Sequence, residues 1–163
     1  MLTFRKATAN DIAQLTTVEQ KVIEAERPFN NAIQEGNPTY YDMEHLLMDK
    51  NTLLLVAEEA SKIIASGYVQ IRSSKPFLKH THHGYLGLMF VATDYRGRGL
   101  NQLIMKKLIA WAKARQIRDF YLDVYAHNLS AIKAYEKVGF CSNMIEMKLS
   151  IPTANELENN DND

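Results

Sequence analysis

A chain of 163 residues with 46% hydrophobic content is long enough for one domain with a substantial core. Its 19 basic and 19 acidic residues cancel, so no global charge points to nucleic acid or a membrane surface. No apolar run approaches the roughly 20 residues needed to cross a bilayer. Cys141 is the only cysteine, which excludes an intrachain disulfide and fits a reducing cytoplasm. The first residues lack a signal peptide's long apolar stretch and read as an edge strand.

In chain order, Thr8-Ala9-Asn10-Asp11 reads as a capped helix start, with Ile12, Leu15, Val18, Val22 and Ile23 on the buried face. Pro28, Gly36 and Pro38 predict loop over 24–39, and a short helix is expected over 40–48. Strands follow at 52–57 and 63–72, joined as a hairpin with an irregular turn. Residues 73–83 form a basic loop carrying His80, His82 and His83. With no cysteine or paired carboxylate, it does not read as a metal site. Segment 85–91 is apolar on both faces, which predicts a fully buried strand. Leu100, Leu103, Ile104, Leu108, Trp111 and Ala112 recur at helical spacing, so a long helix starts at Leu100. A strand is expected at 120–125, a helix over about 129–138, and a closing strand at 144–151, ended by Pro152. Cys141 is expected as a buried structural thiol. The domain then covers 1–152, and the polar, acidic stretch 153–163 reads as a disordered tail. Strands and helices in mixed order predict an α/β or α+β fold around one mixed sheet.

Two stretches carry chemistry. Tyr95-Arg96-Gly97-Arg98-Gly99-Leu100 joins the apolar strand to the long helix. A strand that turns through glycines into a helix N-terminus leaves N–H groups unpaired, and two arginines beside them make an anion site. The plain alternative is a tight turn with solvated arginines. No G-x-x-x-x-G-K-[ST] stretch occurs, and a dinucleotide fingerprint needs glycine where Gln102 stands. In the second stretch, Asn128 suits a helix N-cap and Gly139 the residue just past the helix end. Tyr135 lies one turn from Ala131 and Val138, where packing is the plain reading.

Together, in this order, the two stretches resemble the motifs of the GCN5-related N-acetyltransferase (GNAT) superfamily. Arg96-Gly97-Arg98-Gly99-Leu100-Asn101 matches the family's Arg/Gln-x-x-Gly-x-Gly/Ala in all but its last position. Asn128, Ala131, Tyr135, Gly139 and Phe140 match the downstream pattern. The resemblance covers residues 1 to about 150. It implies one domain with a mixed, mostly antiparallel twisted sheet flanked by helices, its central strands splayed. It further implies acetyl transfer from acetyl-CoA to a primary amine, a small cationic amine or a peptide or protein amine, by direct attack.

Residue by residue, the resemblance implies that Arg96, Gly97, Arg98, Gly99, Leu100 and Asn101 cradle the CoA pyrophosphate. Met89, Phe90 and Val91 would bond the pantetheine arm, Asn128 would contact the CoA arm, and Tyr135 would face the thioester sulfur as the catalytic group. No metal, nucleic acid or membrane is implied, and a homodimer is compatible. The chain departs from the pattern at Asn101 and at Gly87, where many relatives carry an acid. Glu24, Glu26, His83, Tyr85 and Tyr125 are the candidates to replace that acid as base. Glu19, Glu24, Glu26, Glu35, Asp42, Glu44 and Asp49 predict an acidic rim that concentrates a cationic amine, or else a solvated helix face. The alternative to an enzyme is a non-catalytic acyl-CoA-binding or sensing module of the same fold.

Overall fold

Leu53, Leu55 and Ala57 point to one face of strand β2 (Thr52–Glu59), Leu54 and Val56 to the other, and all five are buried. A strand apolar on both faces needs a layer on each side. The computed structural model, which describes residues 1–160, supplies both layers. On one face, Leu100, Ile104, Met105, Leu108 and Ala112 of helix α3 (Leu100–Lys113) pack over the sheet. On the other, Leu15 and Val18 of α1 (Ile12–Glu26) join Met43 and Leu46 of α2 (Met43–Met48). Leu103 is 43% exposed, off the buried stripe on which the spacing places it; adjacent Ile104 and Met105 complete that stripe instead.

The sheet order is β1-β2-β3-β4-β5, with β1 (Thr3–Lys6), β3 (Lys62–Ser73), β4 (His82–Val91) and β5 (Phe120–Tyr121). The first four strands are antiparallel neighbours, and β5 runs parallel to β4. Ala60 and Ser61, at φ 50° and 60°, make a two-residue left-handed turn between β2 and β3, the form that matches strand twist. At the sheet's other edge, the Arg5 guanidinium grips Asp11 with contacts of 2.7 and 2.8 Å and also meets Glu58. Asp11 accepts the Thr8 N–H as well, so β1 is tied to the start of α1. The arginine holds the Asp11 carboxyl down at about 2.

Several expectations need correction. β4 is not buried on both faces: burial alternates from Gly84 to Leu88, and Met89, Phe90 and Val91 are all only half-buried where no β5 partner lies alongside. The expected strand at 120–125 is regular only at Phe120–Tyr121, and the expected helix at 40–48 starts at Met43, capped by the Asp42 carboxylate. The helix expected at 129–138 is α4, Leu129–Glu136. Segment 144–151 forms no strand, and Cys141 is exposed rather than buried, because the chain leaves the core after Phe140. Within the stretch read as a disordered tail, Ala154–Asn160 forms a short helix, α5, with the Thr153 N–H donating to Glu156. Residues 161–163 lie outside the described residues.

Candidate active site

The centre of the molecule is a gap between β4 and β5. Pairing stops at Tyr85 opposite Tyr121. From there to Val91 the β4 edge facing β5 carries no strand partner among the described residues. Ala92 donates to Ile64 O at 2.7 Å, which fixes the alternation of the β3–β4 ladder. Phe90 therefore turns its backbone to β3, whereas Met89 and Val91 present N–H and C=O to the gap.

A bulge re-aims this strand. Leu88 sits at φ 51°, a left-handed conformation rare for leucine, where the register shifts between Ser66 and Tyr68. The surroundings hold it from both sides. Leu88 O accepts the Ser66 hydroxyl at 2.9 Å, and Leu88 N–H donates to the Tyr41 hydroxyl at 3.2 Å. Beside the bulge, the Tyr68 ring lies against Gly87, where an added Cβ would come within 2.5 Å of the ring. Any side chain at Gly87, acidic or not, would meet that ring.

β4 leads into the glycine turn. Gly97 and Gly99 both adopt φ 75°, which brings α3 in with its N-terminus exposed. The N–H groups of Gly97, Arg98, Gly99, Leu100, Asn101 and Gln102 have no acceptor among the described residues. Consecutive free amides at a helix N-terminus, with the positive end of the helix dipole behind them, suit a phosphate. Arg98 is held by Asp94 O at 3.0 Å and stacks on Tyr95, whose hydroxyl donates to Glu59 at 2.5 Å. Arg96 folds back on Val91 O at 3.3 Å. The turn predicted from the sequence therefore joins the open edge, and both its arginines donate to backbone carbonyls.

On the far side of the gap, Asn128 caps α4 by accepting the Ala131 N–H at 3.3 Å, which leaves its side-chain NH2 free. Tyr135 of α4 packs on Phe140; burial and the nearby Glu26 charge push its hydroxyl up to about 12. Burial also raises the carboxyl of Glu26, at the end of α1, above its usual range. The Tyr40 hydroxyl lies beside both Glu26 and Tyr125, and is pushed up first by burial and then by Glu26. Tyr125 accepts from the Asn30 side chain at 2.9 Å and stacks on Phe29. Glu26, Tyr40, Tyr125 and Tyr135 thus form one polar cluster. Tyr40 is the member that the sequence reading missed, because 13 residues of turn and loop separate it from Glu26.

The other candidates are engaged elsewhere. Tyr85 donates to Asp123 at 2.8 Å beneath the Arg72 guanidinium, 3.9 Å above its ring. His83 and His80 share the Ser74 hydroxyl, His80 also meets Tyr121, and burial lowers the His83 pKa. Most of the expected acidic rim has structural duties. Glu19 is buried and accepts the N–H groups of Tyr40 and Tyr41 at 2.6 and 2.8 Å. Glu24 pairs with Arg27, Asp42 caps α2, and Asp49 gathers Asn51, Thr52 and Gln70. A separate groove of about 400 Å³, lined by Lys106, Lys113, Lys137 and Val138, lies along the half of α3 away from the glycine turn.

Comparison with known proteins is consistent with this geometry. A model described as the Acetyltransferase (GNAT) family matches residues 19–140. The chain is 37% identical over 59 residues to an uncharacterized N-acetyltransferase, YobR, of Bacillus subtilis, and 35% identical over 69 residues to streptothricin acetyltransferase A of the same organism. The matches take in 35% and 41% of this chain but span only 24% and 40% of those relatives. Among solved structures, a predicted acetyltransferase with acetyl-CoA from Clostridium acetobutylicum superposes with a TM-score of 0.74 at 23% identity, over 92% of this chain and 96% of that one.

Proposed function

The chain belongs to the acetyltransferase (GNAT) family, and we propose that it transfers an acetyl group from acetyl-CoA to a primary amine. The observation that carries this reading is a continuity: the open edge of β4 runs directly into the free amides of the glycine turn. An elongated ligand with a hydrogen-bonding arm and a phosphate end fits both at once. Arg96, Gly97, Arg98, Gly99, Leu100 and Asn101 then hold the pyrophosphate, and Met89, Phe90 and Val91 line the pantetheine arm. Asn128 offers its free NH2 to the same arm. No helix among the described residues is long and apolar enough to cross a membrane, and the single cysteine suits the cytoplasm.

The amine attacks the thioester carbonyl, the C–S bond breaks, and the CoA thiolate leaves. An alkylamine with pKa near 10.4 is only about 0.1% neutral at pH 7.4, so a proton acceptor helps. Glu26 takes that role, with Tyr40 and Tyr125 beside it as hydroxyl relays, and its carboxylate also draws a cationic amine into the site. Tyr135 donates a hydrogen bond to the departing sulfur. Its hydroxyl near 12 against a thiol near 8.5 makes full proton transfer uphill by about 5 kcal/mol, so the ammonium intermediate supplies the proton instead.

The test is incubation with acetyl-CoA and a panel of polyamines, aminoglycoside-like amines and peptide amines, following free thiol. Amine-dependent thiol release supports the reading. CoA binding without thiol release across the panel would favour the acyl-CoA-binding module.

A further inference from the structure

Strand β3 carries Tyr68, Gln70 and Arg72 at alternate positions, so all three share the sheet face that α1 and α2 cover. Arg72 is half-buried there and held in one pose. Its Nε donates to Gln70 Oε1 at 2.8 Å, and Gln70 is itself tied to the Asp49 carboxylate at 3.0 Å. The guanidinium lies 3.9 Å from the centre of the Tyr85 ring. An arginine fixed at Nε and stacked on an aromatic ring presents its two terminal NH2 groups as a preset fork.

That fork has no ionic partner. Arg72 makes no ion pair among the described residues, and Asp123, beside the same ring, is occupied by the Tyr85 hydroxyl at 2.8 Å. Across the ladder stands His83, which burial and then the charges of His80 and Arg72 hold toward its neutral form. Burial raises the Tyr68 hydroxyl, and the Arg72 charge works against that rise. A half-buried, oriented and unpaired guanidinium is suited to a carboxylate, which it meets through two parallel hydrogen bonds. Glu26 stands at the other end of the same face. Tyr41 packs edge-on against Tyr68 at 5.5 Å, and Tyr68 tilts against Tyr85 at 6.5 Å. The Tyr41 hydroxyl is raised first by burial, and the Glu26 charge adds to the rise. A row of tyrosines therefore runs from a carboxylate to a guanidinium, one pole negative and the other positive. Arg72 would repel a polycation laid along this row, but it complements an amine that carries its own carboxylate.

Building on the acetyl-transfer reading, we propose that the acceptor is an amino carboxylate, its amine directed to Glu26 and its carboxylate held by Arg72. Arg72 then touches the acceptor and sets which amine is used, without a part in the bond-making step. The carboxylate belongs to a free amino acid or to the C-terminus of a short peptide, which offer Arg72 the same group.

Matched acid and amide acceptors test this, since each pair differs only in charge at the carboxyl end. The pairs are γ-aminobutyrate and its amide, lysine and lysinamide, and a short lysine-ending peptide with a free or an amidated C-terminus. In the full chain kcat/KM is expected to favour the acid by about tenfold or more in one pair or several. Arg72→Met should bring that ratio close to one. A preference confined to the free amino acids identifies them as the source, and one shared by the peptide identifies the C-terminus. Equal use of acid and amide, or a preference for the amide, would overturn the proposal. A preference that survives in Arg72→Met would overturn it too. Because the acid and amide comparison uses the unaltered chain, misfolding of the variant leaves the test intact. If no amine releases thiol, acetyl transfer to these amines fails separately, and calorimetry of the same pairs on the CoA-loaded chain decides the Arg72 site. Tighter binding of the acid supports it, and no difference within the pairs overturns it.

Discussion

The hydroxyl of Tyr41 accepts the N–H of Leu88 at 3.2 Å, tying the loop before α2 to the bulge of β4. Glu19 holds that loop in turn through the backbone of Tyr40 and Tyr41, so α1, the loop and the bulge form one chain of contacts. Tyr41→Phe leaves the buried Leu88 amide without its acceptor. The expected cost is about 1–3 kcal/mol, read as a lower urea midpoint at unchanged m-value, with a raised KM for acetyl-CoA as the bulge relaxes.

Gly87→Ala places a Cβ within 2.5 Å of the Tyr68 ring, which is itself fully buried. Overpacking of this kind costs roughly 1–3 kcal/mol. Thermal unfolding should show the loss, and pairing with Tyr68→Leu should recover part of it. An acid introduced at Gly87 should do worse than alanine, not improve turnover.

Gly97→Val forces a β-branched residue into φ 75°, a conformation that costs an ordinary L-residue roughly 1–2 kcal/mol. Since an added Cβ there meets nothing within 4 Å, the damage is to backbone conformation and to the aim of the free amides. CoA affinity, measured by calorimetry, should fall about tenfold or more, with a melting temperature lower by roughly 2–8 °C from the backbone cost alone.

Glu26 and Tyr135 should separate kinetically. As a base, Glu26 must be ionised, and burial raises its carboxyl pKa, so the rate rises with pH through that raised value. Glu26→Gln should lower kcat and abolish this acidic limb of the profile. Tyr135→Phe should lower kcat with CoA affinity nearly intact and the acidic limb preserved. Unchanged turnover in the second variant would remove Tyr135 from the reaction.

Asp11 gives the fold an acid-sensitive tie. Its carboxyl titrates near 2 in the folded chain against 3.8 as the ordinary value. A depressed carboxyl contributes stability that is fully present above about 4 and is lost as pH falls toward 2, here about 2 kcal/mol. Asp11→Asn should therefore be less stable than the parent at pH 7, with the difference shrinking to near zero by pH 2 in denaturant titrations.

What could be read from the chain alone follows from where each constraint resides. Gly97, Gly99 and Asn128 were legible because their roles are local: a left-handed backbone and a helix cap are set within a few residues. Leu88 was not legible, since nothing in its neighbours demands φ 51° at leucine; Tyr41 and Ser66, distant in sequence, hold it there. The duties within the acidic run from Glu19 to Asp49 were hidden for a similar reason. Glu19 is spent on backbone amides of residues 40 and 41, and such partners leave no trace in composition. For 144–151 the alternation was plain, but a period alone forms no strand: the segment is exposed and makes no backbone hydrogen bond among the described residues.

Tyr85 opposite Tyr121, the last rung of the β4–β5 ladder, makes the gap a gauge. From Leu86 to Val91, at about 3.3 Å per residue, the open edge measures roughly 20 Å. Anything anchored at the glycine turn and laid along this edge runs out of slot where the rung, locked by Asp123 and roofed by Arg72, closes it. The rung sits on β4 and the glycine turn follows that strand after four residues, so the spacing between floor and anchor is set along one short stretch of chain. On the proposed reading, the reach of a bound arm is set by the number of β4 residues between anchor and floor, a ruler written in backbone and not in side chains.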